Sequence, residues 1–164
     1  MRKLDMNITV ISVGKLKEKY LREAIDEYAK RLQRYCKISL IELQDEKTPD
    51  NASEKEELQI KAKEGEAILK NIKENSFVIA LDLKGKMISS EEFSTYIQDL
   101  GVNGKSDIVF IIGGSLGLSQ EVLNRANYKL CFSKMTFPHQ LFRVMLLEQI
   151  YRGFRIMKNE PYHK

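Results

Sequence analysis

The residues of this chain best suited to chemistry gather in its carboxyl-terminal third. The two histidines, His139 and His163, lie there with Tyr162, and the three are the candidate proton-handling side chains. Arg143 and Arg152 suit contacts to a phosphate or to an anion developing in a reaction. Each has a plainer reading: His139 as a polar residue exposed in the first turn of a helix, the terminal Pro-Tyr-His-Lys as an unstructured end. Cys131 and His139 invite a thiol-nucleophile reading. Cys131 falls inside an apolar run, however, and His139 has no evident orienting partner, so a structural cysteine is expected. Gly113, Gly114 and Gly117 would let a ligand approach the backbone without Cβ interference, or serve only a tight strand-to-helix turn. Phe132, Ser133, Lys134, Met135, Thr136 and Phe137 mix apolar and polar groups in one short segment. That mixture suits a ligand with an aromatic base and several polar edges. A dinucleotide-dependent oxidoreductase would carry G-x-G-x-x-G at its first strand; only Gly14 is found there, and no P-loop is present.

Elements must hold these residues. The apolar run 108–112 stops at Gly113-Gly114, as a buried parallel strand would. A second strand is expected over 128–132, a turn-prone loop over 133–137, and a long helix over 138–158 opened by Pro138. Two loops thus leave neighbouring strand ends, where open α/β sheets place ligands. Upstream, 8–13 reads as a strand and 15–34 as a helix, with Leu21, Ile25, Tyr28 and Leu32 inward. Its basic outer faces fit a solvated helix or an RNA-facing surface equally. A strand over 38–43 and a polar loop over 44–52 follow. Ser53 with Glu56, and Ser89 with Glu92, form capping boxes that announce two more helices. The first should turn Leu58, Ala62, Leu69 and Ile72 inward, with Gly65 allowing close packing, and carry no chemistry. Between them 77–83 reads as a strand, expected at the centre of the sheet. The alternation predicts a single-domain α/β fold: a mostly parallel sheet of about five strands with helices on both faces. The last helix has two apolar stripes, one through Phe142, Leu146, Ile150, Phe154 and Met157, another through Val144, Leu147 and Tyr151. The second implies deeper burial or a partner subunit.

At 164 residues, 43% hydrophobic and 30% charged, one soluble domain is the natural reading. The net charge of +4 permits a nucleic-acid partner without demanding one. The two cysteines lack metal-ligand spacing, so reduced thiols and no metal are expected. No apolar run approaches the ~20 residues of a membrane span, and no signal peptide is evident; a cytoplasmic protein with no membrane association is expected.

IGGSLG, followed by SKMTFPHQLFRVMLLEQIYR and a terminal PYHK, resembles the small bacterial SPOUT methyltransferases of ribosomal RNA. Residues 7–164 carry the likeness as a single domain, and 1–6 read as an amino-terminal extension, with Met6 an alternative start. The resemblance implies a carboxyl-terminal trefoil knot that binds S-adenosylmethionine. It implies methylation at N3 of a pseudouridine in the helix 69 loop of 23S ribosomal RNA, within the large subunit or the 70S ribosome, by a homodimer. It assigns Leu81, Gly113, Gly114, Phe132, Ser133, Lys134, Met135, Thr136 and Phe137 to the cofactor. It places the tail in the active site, so His139, Arg143, Tyr162 and His163 become the catalytic candidates. A non-catalytic RNA-binding protein on the same fold is the alternative.

Overall fold

Successive residues on a strand point to opposite faces of a sheet, and that alternation splits the core of this protein in two. The computed structural model describes residues 5–164, so most of the expected amino-terminal extension lies outside the described residues. In chain order the elements are β1 (Asn7–Val13), α1 (Lys19–Leu32), β2 (Lys37–Leu43), α2 (Glu54–Lys70), β3 (Phe77–Lys86), α3 (Ser90–Val102), β4 (Asp107–Ile112), α4 (Gln120–Arg125), β5 (Tyr128–Leu130) and α5 (His139–Met157). The strands form one sheet in the order β2-β1-β4-β3-β5, with every pairing parallel. Ile8, Val10, Ile79, Ile108 and Phe110 pack with Phe93 and Ile97 of α3, Leu32 of α1 and Leu146 and Phe154 of α5. Ile11, Val13, Val78, Val109 and Ile111 pack with Ile68 of α2 and Val122 of α4. Helices α1, α3 and α5 therefore cover one face, and α2 and α4 the other.

The middle strand is β4, not the strand at 77–83 as expected. Residues 108–112 are buried throughout, the pattern of a strand covered on both faces. Both capping boxes form: Ser53 Oγ and Ser89 Oγ each accept the backbone N–H of Glu56 and Glu92 at 3.1 Å, and the glutamates accept in return. The first helix begins at Lys19 rather than Lys15. Leu16 N–H instead donates to Glu42 at 3.0 Å, tying the intervening segment to β2.

Two departures from expectation shape the site. α2 does not turn Leu58 and Ala62 inward; Leu58 is 56% exposed, and the buried residues are Glu64, Gly65 and Ile68. A Cβ on Gly65 would overlap Ser119 Oγ, so the helix is rolled to set this glycine against the start of α4. β3 runs on to Lys86 while β5 stops at Leu130. Leu130 is in register with both Leu81 and Lys86, and Cys131 N–H donates to Lys86 O at 3.0 Å. Residues 82–86 thus curl round the end of β5. The fit is tight: a Cβ on Gly85 would stand 2.7–2.8 Å from the backbone of Lys129 and Leu130.

α5 packs between α1 and α3 and uses both apolar stripes within its own chain. Leu147 is buried, and Tyr151 meets the rings of Tyr28, Tyr35 and Tyr162. Deeper burial, rather than a second free face, accounts for most of the second stripe.

Candidate active site

The carboxyl ends of β3, β4 and β5 open into one cleft of ≈ 1010 Å³. Beyond β4, Gly117 N–H donates to Gly114 O at 3.0 Å, closing a turn in which Gly117 has φ +87°, a conformation that favours glycine. Ser119 Oγ then accepts Val122 N–H at 3.3 Å and caps α4. Beyond β5, Cys131 Sγ donates to Ser133 O at 3.1 Å, and Ser133 Oγ accepts Met135 N–H at 3.0 Å, so the loop folds on itself. Phe132 and Phe137 both lean on Phe142 of α5, with ring centroids 4.8 and 6.4 Å away.

Leu81, Gly113, Gly114, Phe132, Ser133, Met135, Thr136, Phe137 and His139 all line this cleft; Lys134, in the same loop, does not. Leu58, Asp82, Leu116, Leu118, Glu121 and Phe142 join them without having been assigned to the site from the sequence; Leu58 and Phe142 were read there as core residues. No local signal marks Leu58 for the cleft, since its spacing to Ala62 and Leu69 fits a core stripe; the roll of α2 is what exposes it. Leu83 and Met135, also on the cleft, are 64% and 74% exposed. Large apolar side chains left in solvent at a concave mouth suit a ligand or partner that covers them.

Gly113 and Gly114 are closely packed on the side that a Cβ would occupy. A Cβ on Gly113 would meet Leu118 Cδ2 at 2.9 Å and the Gly117 backbone at 3.0 Å; one on Gly114 would meet Glu64 Oε1 at 3.2 Å. Both directions lead into the protein, so their first task is to close the turn. At Gly117 nothing lies within 4 Å of a Cβ.

His139, in the first turn of α5, is the candidate proton-handling side chain that borders the cleft. Although the residue as a whole is exposed, desolvation of its ring and, second, the Arg143 cation hold its pKa below the ordinary 6.5, so the imidazole is neutral at physiological pH. Arg143, one turn on, is 4% exposed and does not reach the cleft. Its guanidinium donates to Glu42 at 3.1 Å, to Val13 O at 2.9 Å and to Gly14 O at 2.6 Å. Those donors are already engaged in pinning α5 to the ends of β1 and β2, which leaves little with which to meet a substrate anion.

The tail is ordered, but not at this cleft. Glu160 accepts from Tyr35 Oη at 3.0 Å and pairs with Arg155, while Arg155 Nη2 donates to Pro161 O at 2.6 Å. Tyr162 Oη donates to Glu148 Oε2 at 2.7 Å, and Arg152 lies over its ring at 4.7 Å. Desolvation and the Glu148 acceptor raise the Tyr162 pKa well above 10, keeping the phenol protonated. His163 Nδ1 lies 2.9 Å from Arg152 Nη1, and Nε2 meets Glu91. Since the arginine can only donate, Nδ1 accepts and Nε2 carries the hydrogen given to Glu91. Both nitrogens are engaged. Glu148 borders a smaller hollow of ≈ 360 Å³ that shares Leu130, Cys131 and Phe132 with the large cleft.

Among the described residues no cluster of His, Cys, Asp or Glu could hold a metal, and no helix is long and apolar enough to cross a membrane.

Comparison with known proteins agrees with this geometry. A family model described as "Predicted SPOUT methyltransferase" matches residues 6–163. Ribosomal RNA large subunit methyltransferase H 1 of Clostridium perfringens (strain SM101 / Type A) is 78% identical over 159 residues, 97% of this chain and 100% of that one. Ribosomal RNA large subunit methyltransferase H of Clostridium tetani (strain Massachusetts / E88) is 74% identical over the same shares. A looser likeness, with a TM-score of 0.46 and 11% identity, covers 97% of this chain and 63% of the SpoU methyltransferase AviRb from Streptomyces viridochromogenes, and nothing is carried over from it. With the family match spanning nearly every residue, and the cleft formed by the loops that carry the family's motifs, this chain belongs to the SPOUT methyltransferases.

Proposed function

We propose that the protein is an S-adenosylmethionine-dependent methyltransferase of large-subunit ribosomal RNA, acting at N3 of a pseudouridine in the helix 69 loop of 23S RNA. The observation that carries the reading is the convergence of three strand ends on one cleft walled by Leu81, the Gly113–Gly117 turn and the loop ending in Phe137, with a neutral His139 at its rim. The names of the clostridial relatives support the RNA substrate.

The residues present fit such a cofactor. The cleft, at ≈ 1010 Å³, stands at the upper end of the ~300–1,000 Å³ usual for ligand pockets. Leu81 and Phe137 offer apolar walls for a flat base, the backbone of the glycine turn offers polar edges, and Asp82 and Glu121 suit a cationic centre. When bound, S-adenosylmethionine supplies an activated methyl group, so the protein's tasks are alignment, exclusion of water and management of one proton.

That proton sits on N3 of a uracil-type ring and must leave around the moment of attack. His139 is the group suited to accept it: it faces the cleft and is neutral. Arg143 holds the start of α5, and so His139, in place. Lys134, exposed in the cleft loop but outside the cleft lining, suits an RNA phosphate. The tail is engaged with α5 and α3 of its own chain, away from its own cleft. In the homodimer of our reading it serves the partner's cleft, where Tyr162 and His163 position RNA. The curl of residues 82–86 round β5 supports the family's knot. An enzyme acting on ribosomes would do so in the cytoplasm.

Calorimetric titration with S-adenosylmethionine tests the reading. One site per chain is expected. No heat at millimolar cofactor, with the protein folded, would favour the non-catalytic RNA-binding alternative.

A further inference from the structure

A helix interior is a poor place for a buried carboxylate followed by glycine. Glycine there costs about 1 kcal/mol against alanine, and an unpaired buried carboxylate is expensive. α2 has both at Glu64-Gly65, and both are among its few buried residues. Each touches a different end of the glycine loop that follows β4. Glu64 Oε1 lies beneath Gly114, 3.2 Å from where its Cβ would be, and Gly65 lies against Ser119 Oγ, the cap of α4. The other oxygen of Glu64, Oε2, accepts Glu46 N–H at 3.0 Å, from the polar segment between β2 and α2. A glutamine would keep that acceptor; an alanine would remove the partner of the Glu46 N–H and leave Val13 Cγ1 as the close neighbour beneath Gly114.

We infer that Glu64 and Gly65 are positioning residues for the cofactor loop: the pair forms a bed that holds residues 113–119 in their ligand-ready turn. The inference rests on the cofactor reading of the cleft. Neither residue lines the cleft, so the effect passes through the loop. Gly65 lets the end of the loop come close, and Glu64 fills the space under its start. Glu64 also ties the loop, through Glu46, to a segment otherwise remote from the cleft.

The test compares the parent with Glu64→Gln, Glu64→Ala and Gly65→Ala in the full chain. Hydrogen exchange is followed at the amides of Ser115, Leu116 and Gly117, and S-adenosylmethionine affinity is measured by calorimetry. Glu64→Gln should match the parent in both, within about twofold. Glu64→Ala should keep its circular dichroism and the exchange protection of β4, yet exchange at least tenfold faster in the loop and bind cofactor at least tenfold more weakly. Gly65→Ala should shift the same amides. Unchanged loop exchange in Glu64→Ala overturns the inference, whatever the cofactor does. So does loop exchange that rises only in step with that of β4, since that would be global destabilisation. If the parent itself fails to bind cofactor, the reading of the cleft falls, while the bed is still decided by the exchange data.

Discussion

Three proton-handling candidates of similar standing in the sequence separate once their surroundings are known. Tyr162 is a donor kept protonated by desolvation and, second, by the Glu148 acceptor, and His163 is engaged at both nitrogens. His139 alone borders the cleft, with a depressed pKa. His139→Ala should therefore lower the single-turnover methylation rate by about a hundred- to ten-thousand-fold, the usual contribution of a positioned base. The parent's rate should fall on the acid side with an apparent pKa below 6.5 and be flat through neutrality, because the imidazole accepts a proton only when uncharged. A rate that keeps rising through neutral pH in parent and variant alike would return the role to solvent. Residue type and spacing were enough to gather the candidates, but not to rank them, because the ranking depends on desolvation and on partners such as Glu148 and Glu91 that are distant in the chain. The glycines teach the same lesson. Gly113 and Gly114 read equally as openings toward a ligand or as a tight turn, and the groups that fill their Cβ directions, Leu118 for one and Glu64 with Val13 for the other, come into view only in the fold.

At the scale of elements, the boundaries that sequence patterns placed well are those fixed locally. The capping boxes at Ser53 and Ser89 form as read, since every atom involved lies within one turn. The departures arise where long-range contact overrides pattern. α2 is rolled by the Gly65–Ser119 contact, and β3 is prolonged by its curl round β5. Two predictions belong here. Gly85→Ala puts a methyl group within 2.7–2.8 Å of the β5 backbone, so one strand must move. It should cost about 1–3 kcal/mol or more by denaturant titration; a parent-like midpoint would mean that the curl is loose. Glu64 gives the second. Desolvation, followed by Asp45 and Glu46, raises its pKa above the ordinary 4.5, against the lowering effect of the Glu46 N–H. The folded chain thus holds that proton more tightly than the unfolded chain. Stability contributed by this group falls as pH rises from 4.5 through the raised value, and above it the ionised carboxyl is a net cost. Glu64→Gln should accordingly be more stable than the parent at neutral pH, with the difference closing in acid. Thermal melts across pH measure this; an equal gap at every pH would contradict it.

For the whole molecule, a mostly parallel sheet between two helical layers was legible because strands read as short apolar runs and helices as 3.6-residue patterns, and every pairing proves parallel. Strand order was not, because it is set by crossovers rather than by any one segment. Assembly follows from α5. Its stripes are largely buried within the chain, but Leu141 remains 41% exposed, and Val144 and Met145 are only half-buried. The proposed two-fold pairing would use this face. Sedimentation of the parent at micromolar concentration should give a dimer, and Leu141→Glu should shift it toward monomer; a monomeric parent that still methylates RNA would refute the shared site. The most direct measurement of all is methyl transfer itself. Ribosomes from cells that lack the modification are incubated with the protein and radiolabelled S-adenosylmethionine, and the labelled nucleoside is identified after digestion. Label in N3-methylpseudouridine from 23S RNA, abolished by His139→Ala, is the result expected. No transfer from a folded, cofactor-binding protein, or label in a different nucleoside, would contradict the account.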